Sequence, residues 1–414
     1  MDRCIKMKTL KKKCFCLFFP FANFDHYTSQ KKNLILEISK SFEEFYMVNC
    51  SYLEFGNAKI KIDIETIKKK VHKNCKVINP KSGDEFLNFC KDKNLIALCN
   101  IGRMWKYYRI HFLLKKVQAK VIYVHEIGNP QFRLYGGIQP FLIQYFTHSL
   151  PHKIVIFLSI MNIFPKVDLR FLTNKKNFNR AKNNFFFRIS KKYKYISLFY
   201  TREYELINSI SFDQSKDKHH EISEDKIVMI DSKINHHDTV EYYGGVSEET
   251  VIHCYNLLER FLKKMTSIFN KPVVVCIHPS EDLDKIKKYL KDFEVVKYKT
   301  QENIYKSFLT FFFQSAAVTD AFMLKKRIIV LENKYMGKSW VASQNYWRDK
   351  AGIIKINIEK DFNIENKKLF LEKIDNTVNS KKYNDIVENY LNSDNHNLGT
   401  KKIINVVKKK YFNN

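Results

Sequence analysis

At 414 residues the chain is long enough for two domains with separate cores. Hydrophobic residues make up 45% and aromatic residues 14%, which excludes a disordered chain, and 72 basic against 43 acidic side chains leave a net charge of +29. So basic a balance calls for an anionic partner: a nucleotide, an anionic lipid surface or a nucleic acid. The nine cysteines are an odd number and include no Cys-x-x-Cys pair, so a reduced, cytoplasmic chain without structural zinc is expected.

Residues 1–30 read as a basic N-terminal segment. MDRCIKMKTLKKK followed by CFCLFFPFANF has the layout of a signal peptide's basic and apolar regions, but the apolar run is short and holds Pro20. A cleaved signal, a basic membrane-surface anchor and a plain terminus or first strand all stay open. No run reaches the ~18 apolar residues that a transmembrane helix needs.

Residues 31–215 carry strand-like runs at Leu34–Ile38, Lys59–Ile64, Leu95–Cys99, Val121–Val124, Ile154–Ile160 and Tyr195–Phe199, with a helix over Tyr107–Val117. This spacing predicts a doubly wound α/β sheet. Two of its loops follow strands. Asn100-Ile-Gly102-Arg103 has a glycine that lets backbone approach a ligand, and His125-Glu126-Ile-Gly128 offers a general base; an ordinary polar turn is the alternative for both. Gly136-Gly137 is a flexible turn. Between Lys166 and Lys194 ten basic residues face one acidic residue and interleave with Phe171, Phe178, Phe185, Phe186 and Phe187. Such a run can lie on anionic lipid with its rings inserted, or bind single-stranded nucleic acid through phosphates and stacking. No nucleic-acid motif accompanies it, so the membrane-surface reading ranks first, a solvated loop second, and nucleic acid is not expected as a partner.

Residues 216–226, polar and charged, read as the linker to a second domain over 227–375, and residues 376–414 as a helical, Lys-rich tail. His236-His237-Asp238 carries no third ligand at a metal-site spacing, and adjacent histidines rarely point the same way, so no metal site is expected. Ser247 caps a helix whose first turn holds Glu248 and Glu249 and whose buried stripe is Val251, Cys254, Leu258, Phe261 and Met265. From Lys271 to Glu332 short apolar runs alternate with helix-period runs, a βαβαβ unit. Its strand Pro272–Ile277 stops at His278-Pro279-Ser280, where Ser280 is the expected cap of the next helix, with Leu283, Ile286 and Leu290 on its inner face. Strands follow at Val295–Val296, Leu309–Phe313 and Arg327–Leu331, with helices from Thr300 and from Ala316 to Lys325. The His-Pro-Ser and Gln314-Ser315 loops therefore lie at the carboxyl ends of parallel strands, the edge where open α/β sheets bind ligands. Ser280 and Ser315 there are hydroxyl donors suited to a phosphate, and His278 adds a ring nitrogen.

The His-Pro pair, then Ser315-x-x-x-Thr319-Asp320 and a closing Arg-Ile-Ile-Val-Leu strand, resemble the donor domain of bacterial GT-B glycosyltransferases that build surface polysaccharide. O-antigen and capsule enzymes are the nearest in pattern, with echoes of sialyl- and polysialyltransferases. Ser315 to Asp320 is also similar in spacing to a loop of CDP-glycerol polyolphosphate transferases. The Arg109-Ile-His-Phe-Leu-Leu-Lys-Lys helix and the helix after Gly244-Gly245 resemble the polysaccharide group too. The resemblance implies two Rossmann-like domains facing a cleft, with the donor's nucleotide and phosphates at His278, Pro279, Ser280, Lys299, Thr300, Ser315, Thr319 and Asp320. It places Gly102 and Arg103 on a cleft loop and offers Glu126 or His125 as the base. It implies further that the last helix returns to the first domain, with Tyr383–Leu391 as the expected segment.

The activity it implies is transfer of a sugar from a nucleotide-sugar to a growing surface-polysaccharide or lipid-linked acceptor, without metal or other cofactor, on the inner face of the cell membrane. The alternatives are a CDP-polyol phosphotransferase of the same architecture and an inactive basic membrane- or nucleic-acid-binding homologue. Departures from the pattern are the absent Glu-x7-Glu of a large retaining group, the absent Asp/Glu-Asp-Gly base motif of sialyltransferases, for which Asp231-Ser232-Lys233 is a poor substitute, and no donor loop of the Gly-Gly-x-x-Glu-Glu kind found in UDP-sugar 2-epimerases.

Overall fold

The structure, a computed structural model, describes residues 11–19, 32–55, 75–99, 107–125, 150–192, 200–210, 213, 223–235, 245–315, 317–336, 338–360, 363–391 and 398–413. In chain order the first domain holds β1 (Lys12–Phe19), α1 (Lys32–Ser41), β2 (Phe45–Asn49), α2 (Ser51–Phe55), β3 (Cys75–Ile78), α3 (Gly83–Phe89) and β4 (Lys93–Cys99). It continues through α4 (Tyr108–Lys116), β5 (Lys120–His125), α5 (Leu150–Ile160), β6 (Leu169–Leu172), α6 (Lys175–Lys182), α7 (Phe185–Lys192) and β7 (Tyr204–Leu206). Its sheet is parallel throughout, in the order β3-β2-β1-β4-β5-β6-β7.

Within the N-terminal segment, residues 12–19 therefore belong to the sheet. β1 is an interior strand, paired with β2 on one side and β4 on the other, and a strand there must be apolar on both faces. Cys14, Cys16 and Phe18 pack into the core on one side of the sheet, and Phe15, Leu17 and Phe19 into the core on the other. Of the three readings of this run, the first strand is the one realised, and the domain boundary expected at residue 31 moves to Lys12 or before. The reason is that a buried central strand and a signal's apolar region share one composition.

Two further expectations are corrected. Leu34–Ile38 is helical, as part of α1, because Leu34, Ile35 and Ile38 bury one stripe against Phe15 and Phe42. Ile154–Ile160 belongs to α5. Lys59–Ile64 and Tyr195–Phe199 lie outside the described residues.

The second domain runs β8 (Lys226–Ile230), α8 (Glu248–Phe269), β9 (Val273–Ile277), α9 (Leu283–Tyr289), β10 (Glu294–Lys297), α10 (Thr300–Tyr305) and β11 (Ser307–Phe312). Then come α11 (Val318–Met323), β12 (Ile328–Glu332), α12 (Lys338–Ala351), β13 (Ile354–Asn357), α13 (Lys367–Val378) and α14 (Lys381–Ile386). The strand order is β10-β9-β8-β11-β12-β13, again parallel. α8 has the expected cap, Ser247 accepting from the Thr250 N–H at 3.2 Å, and all five residues of its expected stripe are buried. It stops where Asn270 turns into the left-handed region at φ 50°. α9 starts two residues later than expected: Asp282, not Ser280, is its cap, accepting from the N–H groups of Asp284 and Lys285 at 2.9 and 3.2 Å. Thr300 opens α10 without capping it.

A last helix, α15 (Gly399–Val407), leaves the second domain. Ile403, Ile404 and Val407 enter the first domain's core beside Phe15 and Leu17, so the chain does cross back, but later than Tyr383–Leu391. That segment packs into the second core through Tyr383, Ile386, Val387 and Leu391 and touches the first domain where the Ser209 N–H donates to the Leu391 carbonyl at 3.2 Å.

Candidate functional site

In the second sheet the chain starts at β8, builds outward through β9 to β10, then returns to the other side of β8 for β11, β12 and β13. The carboxyl ends of β8 and β11 therefore flank the point where strand order reverses, the place where such sheets leave a crevice for a ligand. Ser232, buried just after β8, ties the two sides together: its hydroxyl donates to the Gln314 carbonyl and accepts from the Gln314 N–H at 3.3 Å. The next residue, Ser315, is half-buried and accepts from the Ala317 N–H at 3.2 Å. Hence Ser315 lies just past the carboxyl end of β11, beside the reversal point, because β11 ends there and the chain must turn into α11.

One strand away, His278, Pro279 and Ser280 follow β9. His278 Nδ1 accepts from the Ser280 N–H at 3.2 Å and lies 2.8 Å from the Ser280 hydroxyl. With Nδ1 accepting, a neutral ring carries its proton on Nε2 and presents a donor there. Three side chains hold this loop by its carbonyls: Lys233 donates to Ser280 at 3.3 Å, Lys297 to Glu281 at 2.8 Å, and the Tyr298 hydroxyl to Pro279 at 3.4 Å. Tyr298 does so from a left-handed backbone, φ 65°. Lys299 is exposed at the start of α10, beside an edge strand rather than at the reversal point. Thr300 is half-buried there, Thr319 is buried within α11, and Asp320 beside it is half-buried.

From sequence, Asp231-Ser232-Lys233 reads only as a poor substitute for a base motif, although it directly follows an apolar strand and the strand-end rule that singles out His278 and Ser315 applies to it unchanged. Asp231 is 2% exposed and accepts from the Tyr255 hydroxyl at 2.7 Å. Burial pushes its pKa up to about 7, helped by the charge of Glu281 and opposed by the Tyr255 bond and the Ser232 N–H. Residues 244–249 do spell Gly-Gly-Val-Ser-Glu-Glu, which corrects the absence of that string noted above. Ser247 to Glu249 open α8, however, and Glu248 is bound to Lys285 and Tyr289 on α9 at 2.7 Å each.

In the first domain His125 is the last residue of β5, and its ring meets solvent. Crowding by protein lowers its pKa, and the charges of Arg170, on the neighbouring strand, and His152 lower it further, so the ring is neutral at pH 7. Glu126, Gly102, Arg103 and the Gly136-Gly137 turn lie outside the described residues, as does His236-His237-Asp238. The basic segment from Lys166 turns most of its rings inward: Phe171 and Phe187 are buried, Phe178 packs beside Phe187, and Phe185 is exposed. Among the rings whose surroundings are described, ring insertion is left to Phe185, because Phe171 belongs to β6 and faces the core and Phe187 is buried. Among the described residues no group of three or more His, Cys, Asp or Glu side chains is placed to hold a metal ion, and no helix is long and apolar enough to cross a membrane.

No protein-family model matches the sequence, and no curated protein sequence is significantly similar to it. Solved structures do match over nearly the whole chain. The wall teichoic acid polymerase TagF aligns with 96% of this chain and 88% of its own at TM-score 0.52 and 12% identity. A structure described as a UDP-N-acetylglucosamine 2-epimerase from Listeria monocytogenes aligns with 98% of this chain and 97% of its own at TM-score 0.50 and 10% identity. The chain has the GT-B fold. At such identities the likeness is one of fold, and the chemistry of the GT-B site has to be argued from this chain's own residues.

Proposed function

We propose that this GT-B protein is a glycosyltransferase that moves a sugar from a nucleotide-sugar donor to a hydroxyl of a growing surface-polysaccharide or lipid-linked glycan. The observation that supports this reading is the tie across the reversal point of the second sheet, where Ser232 joins the β8 and β11 loops and Lys233 holds the His278–Ser280 loop. Lys233 on the loop after β8 and Lys297 at the end of β10 both reach the His278–Glu281 loop, and Lys299 opens α10 beyond it, a positive setting for a diphosphate.

In the reaction the acceptor hydroxyl oxygen attacks the sugar's anomeric carbon and forms the new glycosidic bond. The bond from that carbon to the phosphate oxygen breaks, and its electron pair leaves with the nucleotide. His278 through Nε2–H, Ser280 and Ser315 stabilise the charge that grows on the phosphate, with Lys299 assisting. His125 or Glu126 takes the acceptor's proton. No step is assigned to a metal, and the rate is expected to survive EDTA. A lipid-linked acceptor is met at the inner face of the cell membrane.

The test is thermal unfolding with CMP, UDP and CDP. A ligand that binds the native state at about 100 times its Kd stabilises it by about 2.7 kcal/mol, so one nucleotide should raise the melting temperature by several degrees. His278→Ala with Ser315→Ala should abolish most of that rise. An undiminished rise in the double variant moves the phosphates elsewhere, and turnover of a CDP-polyol with no nucleotide-sugar accepted overturns the sugar-transfer reading.

A further inference from the structure

Eleven large apolar side chains are exposed among the described residues, and six of them lie on one short part of the first domain. They are Tyr108 and Phe112 on α4, Ile154 and Phe157 on α5, and Met161 and Ile163 in the turn that follows. Phe112, Phe157 and Met161 are 55%, 59% and 57% exposed. Single exposed apolar residues need no explanation, whereas a cluster marks a surface that meets something other than water. α5 sharpens the point. Its sequence LPHKIVIFLSI is apolar on every side, yet only Val155 and Ser159 are buried. A helix of that composition is normally covered.

α4 is tied to the turn that follows α5. Lys115 on α4 donates to the Asn162 side chain in the turn after α5 at 2.6 Å, and the rings of His111 and Phe164 lie 5.9 Å apart. Beside Phe112 a recess of ≈ 500 Å³ opens, lined among others by Leu53, Leu113 and Phe164 and by two cations, Lys81 and Arg109.

Charge decides what kind of partner fits. Residues 107–119 and 150–166 contain no acidic residue, against Arg109, Lys115, Lys116, Lys153 and Lys166. The cores of protein–protein interfaces are depleted in lysine, while aromatic and aliphatic side chains mixed with lysines are the makeup of surfaces that lie in the headgroup layer of a membrane. We propose that the α4–α5 face docks the protein on an anionic lipid bilayer, with the exposed ridge entering the headgroup layer, the lysines on lipid phosphates, and the recess taking a lipid phosphate above its acyl chain. This deepens the lipid-linked acceptor reading and rests on it for the membrane concerned. It also moves the membrane contact away from the Lys166–Lys194 segment, whose rings are largely committed to the core.

Co-sedimentation of the full chain with vesicles of equal phosphatidylglycerol and phosphatidylcholine tests it, with phosphatidylcholine alone as the comparison. Binding should require the anionic lipid and weaken with salt. Phe112→Ser with Phe157→Ser and Ile163→Ser should cut the partition coefficient at least about tenfold, since three large apolar side chains no longer leave water. Lys175→Ser, Lys176→Ser, Arg180→Ser and Lys182→Ser together should change it by no more than about twofold. The ridge variant should keep its melting temperature and its nucleotide-induced rise, which separates this inference from the donor site. Vesicle binding by the ridge variant equal to wild type, no binding by wild type, or a wild-type dimer that the ridge variant loses without any vesicle binding would each overturn the proposal.

Discussion

The hydroxyl of Tyr255, in the first half of α8, donates at 2.7 Å to Asp231 just after β8, and this bond and the Ser232 N–H serve an acid that is otherwise taken out of water. Burial raises the folded pKa of Asp231 from 3.8 to about 7. The folded state therefore holds a proton that the unfolded chain has released. Stability from this group is complete below about pH 4 and is lost as pH rises towards 7, by about 4 kcal/mol in all. Asp231→Asn keeps an acceptor for Tyr255 and removes the titration. Urea unfolding should find the variant less stable than wild type at pH 4.5 and more stable, by about 1–3 kcal/mol, at pH 8. A parallel pH dependence in both proteins would show that Asp231 is ionised in the fold.

The return of the chain to the first domain depends on a close approach. A Cβ on Gly399 would lie 2.3 Å from the Asn208 carbonyl oxygen, which is backbone and cannot swing aside. The approach is enforced by Asp213, whose carboxylate accepts from the N–H groups of Gly399 and Thr400 at 2.9 and 2.6 Å. Gly399→Ala must shift α15 and loosen Ile403, Ile404 and Val407 from the core, at a cost of about 2–3 kcal/mol. Thermal unfolding measures it, and a loss below about 0.5 kcal/mol would mean that α15 slides without consequence.

Ser232→Ala isolates the tie across the reversal point. It removes a donor to the Gln314 carbonyl and an acceptor for its N–H, so the loop carrying Ser315 is less well placed before a ligand arrives. Nucleotide affinity should fall about five- to tenfold, an effect of about 1 kcal/mol, as titration calorimetry reads it. Unchanged affinity would make Ser232 a purely structural link.

The second domain was legible because its strands are β-branched runs and its helices carry their own stop and start signals, as Ser247 and Asn270 do for α8. Much of the first domain lacks those signals. Cys14–Phe19 is apolar on both faces and has no period to read, and α5 is apolar all round, so neither run distinguishes strand from helix by alternation. At the candidate site, strand ends were legible as polar residues after apolar runs, which is why His278 and Ser315 were expected at the ends of β9 and β11, where they do lie. The partners that hold them were not, since Ser232 and Gln314 are 82 residues apart, and Lys233 and Ser280 are 47 apart.

The proposed bases are His125 and Glu126, and the buried acid Asp231, which titrates near neutral pH, is the group a pH profile must tell apart from them. A base must be deprotonated to accept the acceptor's proton, so the acid limb of kcat/KM reports its pKa in the free enzyme. Crowding, Arg170 and His152 all hold His125 below the usual histidine value of 6.5, so with His125 as base the limb falls below that pH. With Asp231 as base it falls near 7. With the nucleotide-sugar that gives the largest melting shift as donor, the limb is expected below 6.5. His125→Ala should lower kcat by about 10²- to 10⁴-fold while leaving the nucleotide-induced shift intact, because β5 lies in the other domain from His278 and Ser315. A limb near 7 would remove His125 from the role in favour of Asp231, whereas full activity in His125→Ala with a loss in Glu126→Gln would assign the proton to Glu126.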